Sequence, residues 1–372
     1  MKKLKNIIIY YPSFEKGGAT FNLINFANLA AKKKINISLI SNISIKNQKK
    51  FLSRQINVFR VKSTERYFLS RRITSLFGSL FILIKLLLAS NKNTIFFSFQ
   101  SHIIPLFFCT IFFKKIVIRN SEDAIDATKY ADNFVSAYVV IFLKSFFYFF
   151  SNGIITNSLK SKKSLEKLTF NIKSINLIFN PYLHKIISFK KKKRKKIILS
   201  VGRFCKQKNQ SLTIKAFKTF IKDNKDYKLL LVGHGADENK LKKLIKKLNL
   251  QKNVIIKDWS SNMEKYYTTS KLLVFPSLYE GLPNTLIDAL NYSLPCISTK
   301  CSGAEDILSK NYKYFIPHNN SEKLGKLMLN AVNNYDVILN STRKEHKKLK
   351  RFLVQHQVGK YIKFLTTVLN KY

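Results

Sequence analysis

The stretch LLVFPSLYEGLPNTLIDAL, residues 272–290, decides how the rest of the chain is read. LLVFPS is a short apolar run closed by proline and serine, the pattern of a buried strand. Gly281, Pro283 and Asn284 turn the chain, and TLIDAL continues at helical spacing. Pro283 fits the first turn of a helix, where a missing N–H costs little. Asn284 and Asp288 then stand at i and i+4 on one helix face, while Glu280 lies just outside, over the amino end. So two carboxylates bracket a helix start directly after a strand.

The same strand–loop–helix unit recurs on both sides. In the second half, IILSVGR (197–203), YKLLLVG (227–233), NVIIKDW (253–259) and PCIST (295–299) are strands, separated by helices such as LKKLIKKL (241–248). In the first half, NIIIYY (6–11), INISLIS, INVFRV, NTIFFSF, KIVIRN, GIITNS and INLIFN follow the same rule. Leu23, Phe26, Ala27 and Ala30 form the apolar face of the first helix. Alternating β and α in both halves predicts an α/β chain of two doubly wound, Rossmann-like domains. The expected division is 1–189, a basic linker KKKKRKK at 190–196, a second domain over 197–350, and a C-terminal helix over 351–372 that packs back on the first domain. Ligands of such sheets bind at the carboxyl ends of the strands, and two such domains place them in a central cleft.

Composition narrows the function. Lys and Arg number 67 against 20 Asp and Glu, a formal charge of +47. That predicts an anionic partner: nucleic acid, acidic lipid or a phosphorylated ligand. A chain rich in Lys, Asn, Ile and Phe together also reads as compositional bias, and both readings stand. No helix-turn-helix, zinc-finger or RNP pattern supports nucleic acid. Cys109, Cys205, Cys296 and Cys301 form no C-x-x-C pair and no metal cluster with histidine. They predict a reduced, cytoplasmic protein without structural zinc. The amino-terminal apolar run is too short for a signal peptide and reads as a strand. ITSLFGSLFILIKLLLAS (73–90) and AYVVIFLKSFFYFF (137–150) are interrupted by Lys85 and Lys144, so each reads as a buried or interfacial helix rather than a span.

Three further segments bear on chemistry. Gly17 and Gly18 open a helix after the first strand, either as a plain turn or as a place where backbone approaches a ligand. Arg203 and Lys208 flank the loop VGRFCKQKN, either as solvated bases or as a grip for a diphosphate, with one forked and one mobile cation. The acids of the opening stretch tip the balance. Phosphate suits the N–H groups of a helix start, and carboxylates accept hydrogen bonds from neutral hydroxyls. A ligand that is both diphosphorylated and polyhydroxylated needs acids beside a basic site.

Taken in order, these segments resemble the retaining glycosyltransferases of family four, which have the GT-B fold. SLYEGLPNTLIDAL is similar to their E-x7-E motif, VGRFCKQKN to V-G-R-x-x-x-Q-K-G, LLLVGHG to L-V-G-x-G, and STKCSGAEDIL to a glycine-led helix start. The resemblance implies a hexosyltransferase of bacterial surface-polysaccharide type. It implies that Arg203 and Lys208 hold the donor diphosphate, that Glu280 contacts the transferred sugar, and that Asp288 binds the ribose. Gly17, Gly18, Gly281, Pro283, Asn284 and Thr285 complete the donor site. His102, after the strand NTIFFSF, is expected to act on sugar or acceptor, and Arg119 to meet acceptor or phosphate. No metal and no cofactor are implied beyond the nucleotide-sugar substrate, UDP- or GDP-linked. The implied partners are a glycan acceptor, either free or polyprenyl-diphosphate-linked, and an anionic membrane surface reached from the cytoplasm. Asp288, Asn209 and His234 depart from the family pattern. They keep a non-catalytic GT-B partner subunit open beside a nucleotide-sugar epimerase and a nucleic-acid-binding protein.

Overall fold

The computed structural model describes residues 3–15, 17–62, 71–260 and 262–371. By its internal contacts the chain divides into unit 1, residues 1–184 with 351–372, and unit 2, residues 185–350. Unit 1 opens with β1 (Asn6–Tyr10), α1 (Gly18–Lys32), β2 (Asn36–Ser41), α2 (Ile45–Phe51), β3 (Ile56–Arg60), α3 (Arg71–Ala89) and β4 (Thr94–Ser98). It continues with α4 (Ile103–Ile111), β5 (Ile116–Asn120), α5 (Ala124–Lys129), α6 (Phe134–Tyr148), β6 (Gly153–Thr156), α7 (Leu159–Leu168) and β7 (Ile175–Leu177). The seven strands pair in parallel in the order β3-β2-β1-β4-β5-β6-β7. The register runs Ile7 to Ile37 on one side and Ile7 to Ile95 on the other. Central strands such as β4 and β5 are buried at every position, which is why they read as unbroken apolar runs.

Unit 2 contains β8 (Ile197–Val201), α8 (Gln210–Phe220), β9 (Lys228–Val232), α9 (Glu238–Lys247), β10 (Val254–Lys257), α10 (Met263–Thr269) and β11 (Leu272–Phe275). Then come α11 (Asn284–Asn291), β12 (Cys296–Thr299), α12 (Ala304–Leu308), β13 (Phe315–Ile316), α13 (Ser321–Asn333) and α14 (Tyr335–His346). Its six strands are also parallel, in the order β10-β9-β8-β11-β12-β13. β13 has only two residues, too short to carry a periodic signal in sequence.

The last helix, α15 (Val354–Asn370), belongs to unit 1. Val358, Tyr361 and Leu365 enter the same core as α1 and as Ile7 and Ile9 of β1. Ile8 and Tyr10 point the other way, as strand alternation demands, into a core shared with α3, α4, α6 and α7. Lys115 reaches the carbonyls of Val368 at 3.3 Å and Leu369 at 2.9 Å. A cation there satisfies carbonyls that the helix end leaves open.

The basic run 190–196 is not the free linker expected from sequence. It falls inside unit 2, and the unit boundary comes earlier, at His184. Arg194 explains the difference. Its guanidinium donates to the carbonyls of Tyr267 (2.7 Å), Thr268 (3.2 Å) and Ser270 (2.9 Å), and to Tyr292 (2.7 Å) and Ser293 (2.9 Å). One planar fork thereby caps the carboxyl ends of α10 and α11 together. All four cysteines are free thiols. Among the described residues no helix is long and apolar enough to cross a membrane.

Candidate active site

In unit 2, β8 lies between β9 and β11, so the winding direction reverses between β8 and β11. Loops at such a reversal splay apart and leave room for a ligand. Here the two loops are stitched at their bases. Leu278 N–H donates to the Gln207 carbonyl at 2.8 Å, and Gln207 Nε2 donates to the Tyr279 carbonyl at 2.9 Å. The stitch sets Lys208 against Glu280, and the two form an ion pair with little solvent exposure on either side chain. The Lys208 ammonium also lies 5.4 Å from the Phe275 ring. A lysine has three N–H donors and a carboxylate several lone pairs, so each partner keeps capacity for a ligand. Gln207 was quoted within the Q-K segment but given no role in the sequence reading. Its importance depends on a contact across loops that are distant in the chain.

Two neighbouring loops buttress this pair. Gly233 has φ 152, and a Cβ there would lie 2.0 Å from the Gly202 carbonyl oxygen, so only glycine lets the β9 loop come this close. Phe204 N–H donates to the His234 carbonyl at 2.9 Å, and the His234 ring meets exposed Asp258 at 3.2 Å. Gly303 has φ 77, and a Cβ there would lie 2.1 Å from the Gly281 carbonyl oxygen. Thr299 Oγ1 donates to the Ser277 carbonyl at 2.5 Å. Asn209 stands in the left-handed region at φ 49, ψ 39. After glycine, asparagine is among the residues that tolerate this conformation best. The departure from Q-K-G therefore preserves the turn.

Arg203 is exposed, and among the described residues nothing pairs with its guanidinium. Pro283 occupies the N-cap of α11 rather than the first helical turn expected from sequence, and no side chain caps that end. Asp288 shares the helix with Asn284 and Thr285 and is partly buried. The fully buried Tyr267 hydroxyl of α10 bonds to Asp288 and to Thr285. Burial first, and then the Asp288 charge, push the Tyr267 pKa well above the usual tyrosine value. The phenol therefore stays protonated and fixes the carboxylate. Nothing in the sequence marked Tyr267, because its partners lie across an intervening strand and loop.

In unit 1 the corresponding reversal lies between β1 and β4. Gly17 caps α1 in extended backbone at φ 170, and a Cβ there would meet nothing within 4 Å. Gly18 is the first residue of α1. His102 and Arg119, expected to meet sugar or acceptor, both have internal partners, with His102 partly exposed and Arg119 buried. His102 Nδ1 pairs with Ser98 Oγ at 2.8 Å, and the ring also bonds to the Arg119 carbonyl. Burial, aided by the charges of Lys144 and Arg119, lowers its pKa to about 3, so the imidazole is neutral. Arg119 is fully buried. It donates to Tyr361 at 2.9 Å, to Asn180 at 2.6 Å and to Ser121, and stacks 5.2 Å from the Phe99 ring. The sequence placed it correctly at a strand end. What it could not reveal is that α15 returns to cover that end.

Residues 184–351 match the family model of glycosyl transferases group 1. An uncharacterized glycosyltransferase of Methanocaldococcus jannaschii is 34% identical over 183 residues, 46% of this chain and 45% of that protein. The chain spans about half the length of the first curated relatives it matches. A Campylobacter jejuni α-1,4-N-acetyl-D-galactosaminyltransferase, named for an undecaprenol-linked glycan, is 25% identical over 100% of both chains. Among solved structures, an S. aureus TarM variant in complex with UDP superposes with a TM-score of 0.76 at 16% identity, covering 100% of both chains. The segment that carries the stitched loops is thus the part of the chain that matches the model of glycosyl transferases group 1, and the likeness to TarM shows a GT-B fold with two Rossmann-like units.

Proposed function

We propose that the protein is a retaining glycosyltransferase that moves a hexose or acetamido-hexose from a nucleotide diphosphate sugar, UDP- or GDP-linked, to a lipid-linked glycan. The observation that carries this reading is the Lys208–Glu280 pair, held by the Gln207 stitch beside the solvent-open Arg203. Arg203 grips phosphate oxygens in a forked bond, and Lys208 adds a point charge as the nucleoside diphosphate departs. Fixed charges aimed at the leaving group need no reorganisation when the bond breaks, which is what makes them effective. Glu280, steadied by Lys208, accepts hydrogen bonds from the transferred sugar. Asp288, oriented by Tyr267, accepts from the ribose hydroxyls, and the start of α11 with Gly281, Pro283, Asn284 and Thr285 lines the donor. The acceptor hydroxyl passes its proton to the donor phosphate.

The lipid-linked acceptor is supported by the C. jejuni relative, whose name specifies an undecaprenol diphosphate glycan. It is supported as well by the +47 charge, which suits a peripheral enzyme at the anionic inner face of a plasma membrane. The test is release of UDP or GDP from a panel of nucleotide sugars, with and without a polyprenyl-diphosphate glycan. Release that depends on one donor and rises with acceptor supports the reading. No release from any donor contradicts it.

A further inference from the structure

The four helices α3, α4, α6 and α7 cover one face of the unit 1 sheet, and their inward side chains fill one core. Their outward side chains are not those of a solvated layer. Phe77 and Phe81 on α3 are 70% and 78% exposed, and Phe142 on α6 is 70% exposed. Phe107 on α4 and Phe146 on α6 are about half exposed, and Phe170, just past α7, is 71% exposed. Only Tyr148 of α6 is buried, although the helix reads FVSAYVVIFLKSFFY. Isolated exposed apolar residues are ordinary, but a contiguous layer marks an interaction surface.

Compositional bias does not account for it, because bias would act on both units. Among the described residues, only Ile255, Trp259 and Val337 are exposed large hydrophobics in unit 2. Charge identifies the occupant. The sequences of α3, α4 and α6 contain no Asp or Glu, and their charged residues are Arg71, Arg72, Lys85 and Lys144. Lys85 is exposed beside the α3 aromatics. Lys144 of α6 is paired with Glu122 at 3.3 Å, which leaves exposed Lys85 as the free cation among these aromatic and aliphatic side chains in the described residues, and that combination suits the interface of an anionic bilayer. Against a second copy of the chain, the three helices themselves would offer Lys85 no carboxylate to pair with.

We propose that the outer layer formed by α3, α4, α6 and the Phe170 tip is the membrane-docking face of unit 1, inserted among the head groups of an anionic bilayer. This deepens the reading of a lipid-linked acceptor and rests on it. Apolar insertion supplies the larger share of binding and the basic residues supply the lipid preference.

The test uses the full chain and vesicles of phosphatidylcholine with and without phosphatidylglycerol. The wild type is expected to co-sediment with the anionic vesicles and to retain part of that binding as salt rises. The variant Phe77→Ser, Phe81→Ser, Phe142→Ser is expected to lose roughly tenfold or more of the partition, whereas Ile255→Ser with Val337→Ser loses none. As a second readout, Phe142→Trp is expected to shift its emission to the blue on anionic vesicles, while native Trp259 alone in the wild type does not. Wild-type partition by the triple variant overturns the inference. So does a wild-type dimer that the triple variant dissolves while vesicle binding persists. Nucleoside diphosphate release with a water-soluble acceptor separates the two claims. Turnover without vesicle binding sinks the docking face alone, and face-dependent binding without turnover on any donor leaves that face standing and sinks the transferase.

Discussion

At the carboxyl end of β5 in unit 1, Arg119 is buried and donates to Tyr361, Ser121 and Asn180. Beyond the end of β8 in unit 2, Arg203 stands in solvent beside an ion pair that two stitched loops hold in place. Each unit has a parallel sheet with a reversal of winding, and each sets an arginine at or just past the carboxyl end of a strand. In unit 1 Tyr361 of the final helix, together with Ser121 and Asn180, accepts from the arginine. In unit 2 no such element returns, and the donors stay available. Strand-end position alone therefore does not make a site. What matters is whether the rest of the chain leaves the group's hydrogen-bonding capacity unused.

The sharpest way to break this comparison is to remove the unit 2 cations. Lys208→Ala is expected to lower kcat on the order of a hundredfold to a thousandfold, the loss typical of one transition-state donor, with Glu280→Gln falling comparably. Steady-state release of nucleoside diphosphate measures both. Undiminished turnover in either would remove unit 2 from the chemistry. The unit 1 counterpart, Arg119→Ala, is expected to cost about 3 kcal/mol of stability through lost hydrogen bonds and a cavity. Urea unfolding reads that loss, and turnover per folded molecule is expected to stay near wild type. A stable Arg119→Ala protein with weakened acceptor use would restore the role read from sequence.

Smaller effects sharpen the picture of the donor side. Asp288→Ala is expected to weaken nucleotide binding by roughly one to two decades, corresponding to about 1.5–3 kcal/mol for hydrogen bonds to a charged acceptor. Calorimetric titration with UDP and GDP measures it, and unchanged affinity would detach Asp288 from the ribose. Asn209→Ala places a Cβ-bearing residue without a helpful side chain in the left-handed region, at a cost of about 1–2 kcal/mol. Asn209→Gly is expected to stay within a few tenths of wild type by the same urea measurement, since glycine adopts that region freely. An equal cost for both variants would mean that the Asn209 bond to the His318 carbonyl, not the backbone, holds the turn.

The strands from β1 to β12 were legible because each is a compact run of Ile, Val, Leu or Phe between turn residues, and buried parallel strands have that composition. The grouping of the candidate site was legible where its residues sit close in sequence, as with Glu280, Asn284 and Asp288, whose roles are proposals. It was illegible where tertiary packing decides the role. Gln207 acquires its role from Leu278 and Tyr279, and Tyr267 from Asp288 and Thr285. Arg194 looked like one base in a solvated run, and it became a double helix cap only when α10 and α11 ended beside it. His102 and Arg119 show the same limit from the other side, since packing gives both of them internal partners that the sequence does not reveal.

Peptide-resolved hydrogen exchange with UDP or GDP tests the central claim most directly, because it reads where the nucleotide acts along the whole chain. Slower exchange is predicted in the peptides covering 202–210 and 277–288 of unit 2. The peptide covering 117–123, around Arg119, is predicted to exchange as in the unliganded protein. Protection centred on 117–123, with the two unit 2 loops unchanged, would contradict the account.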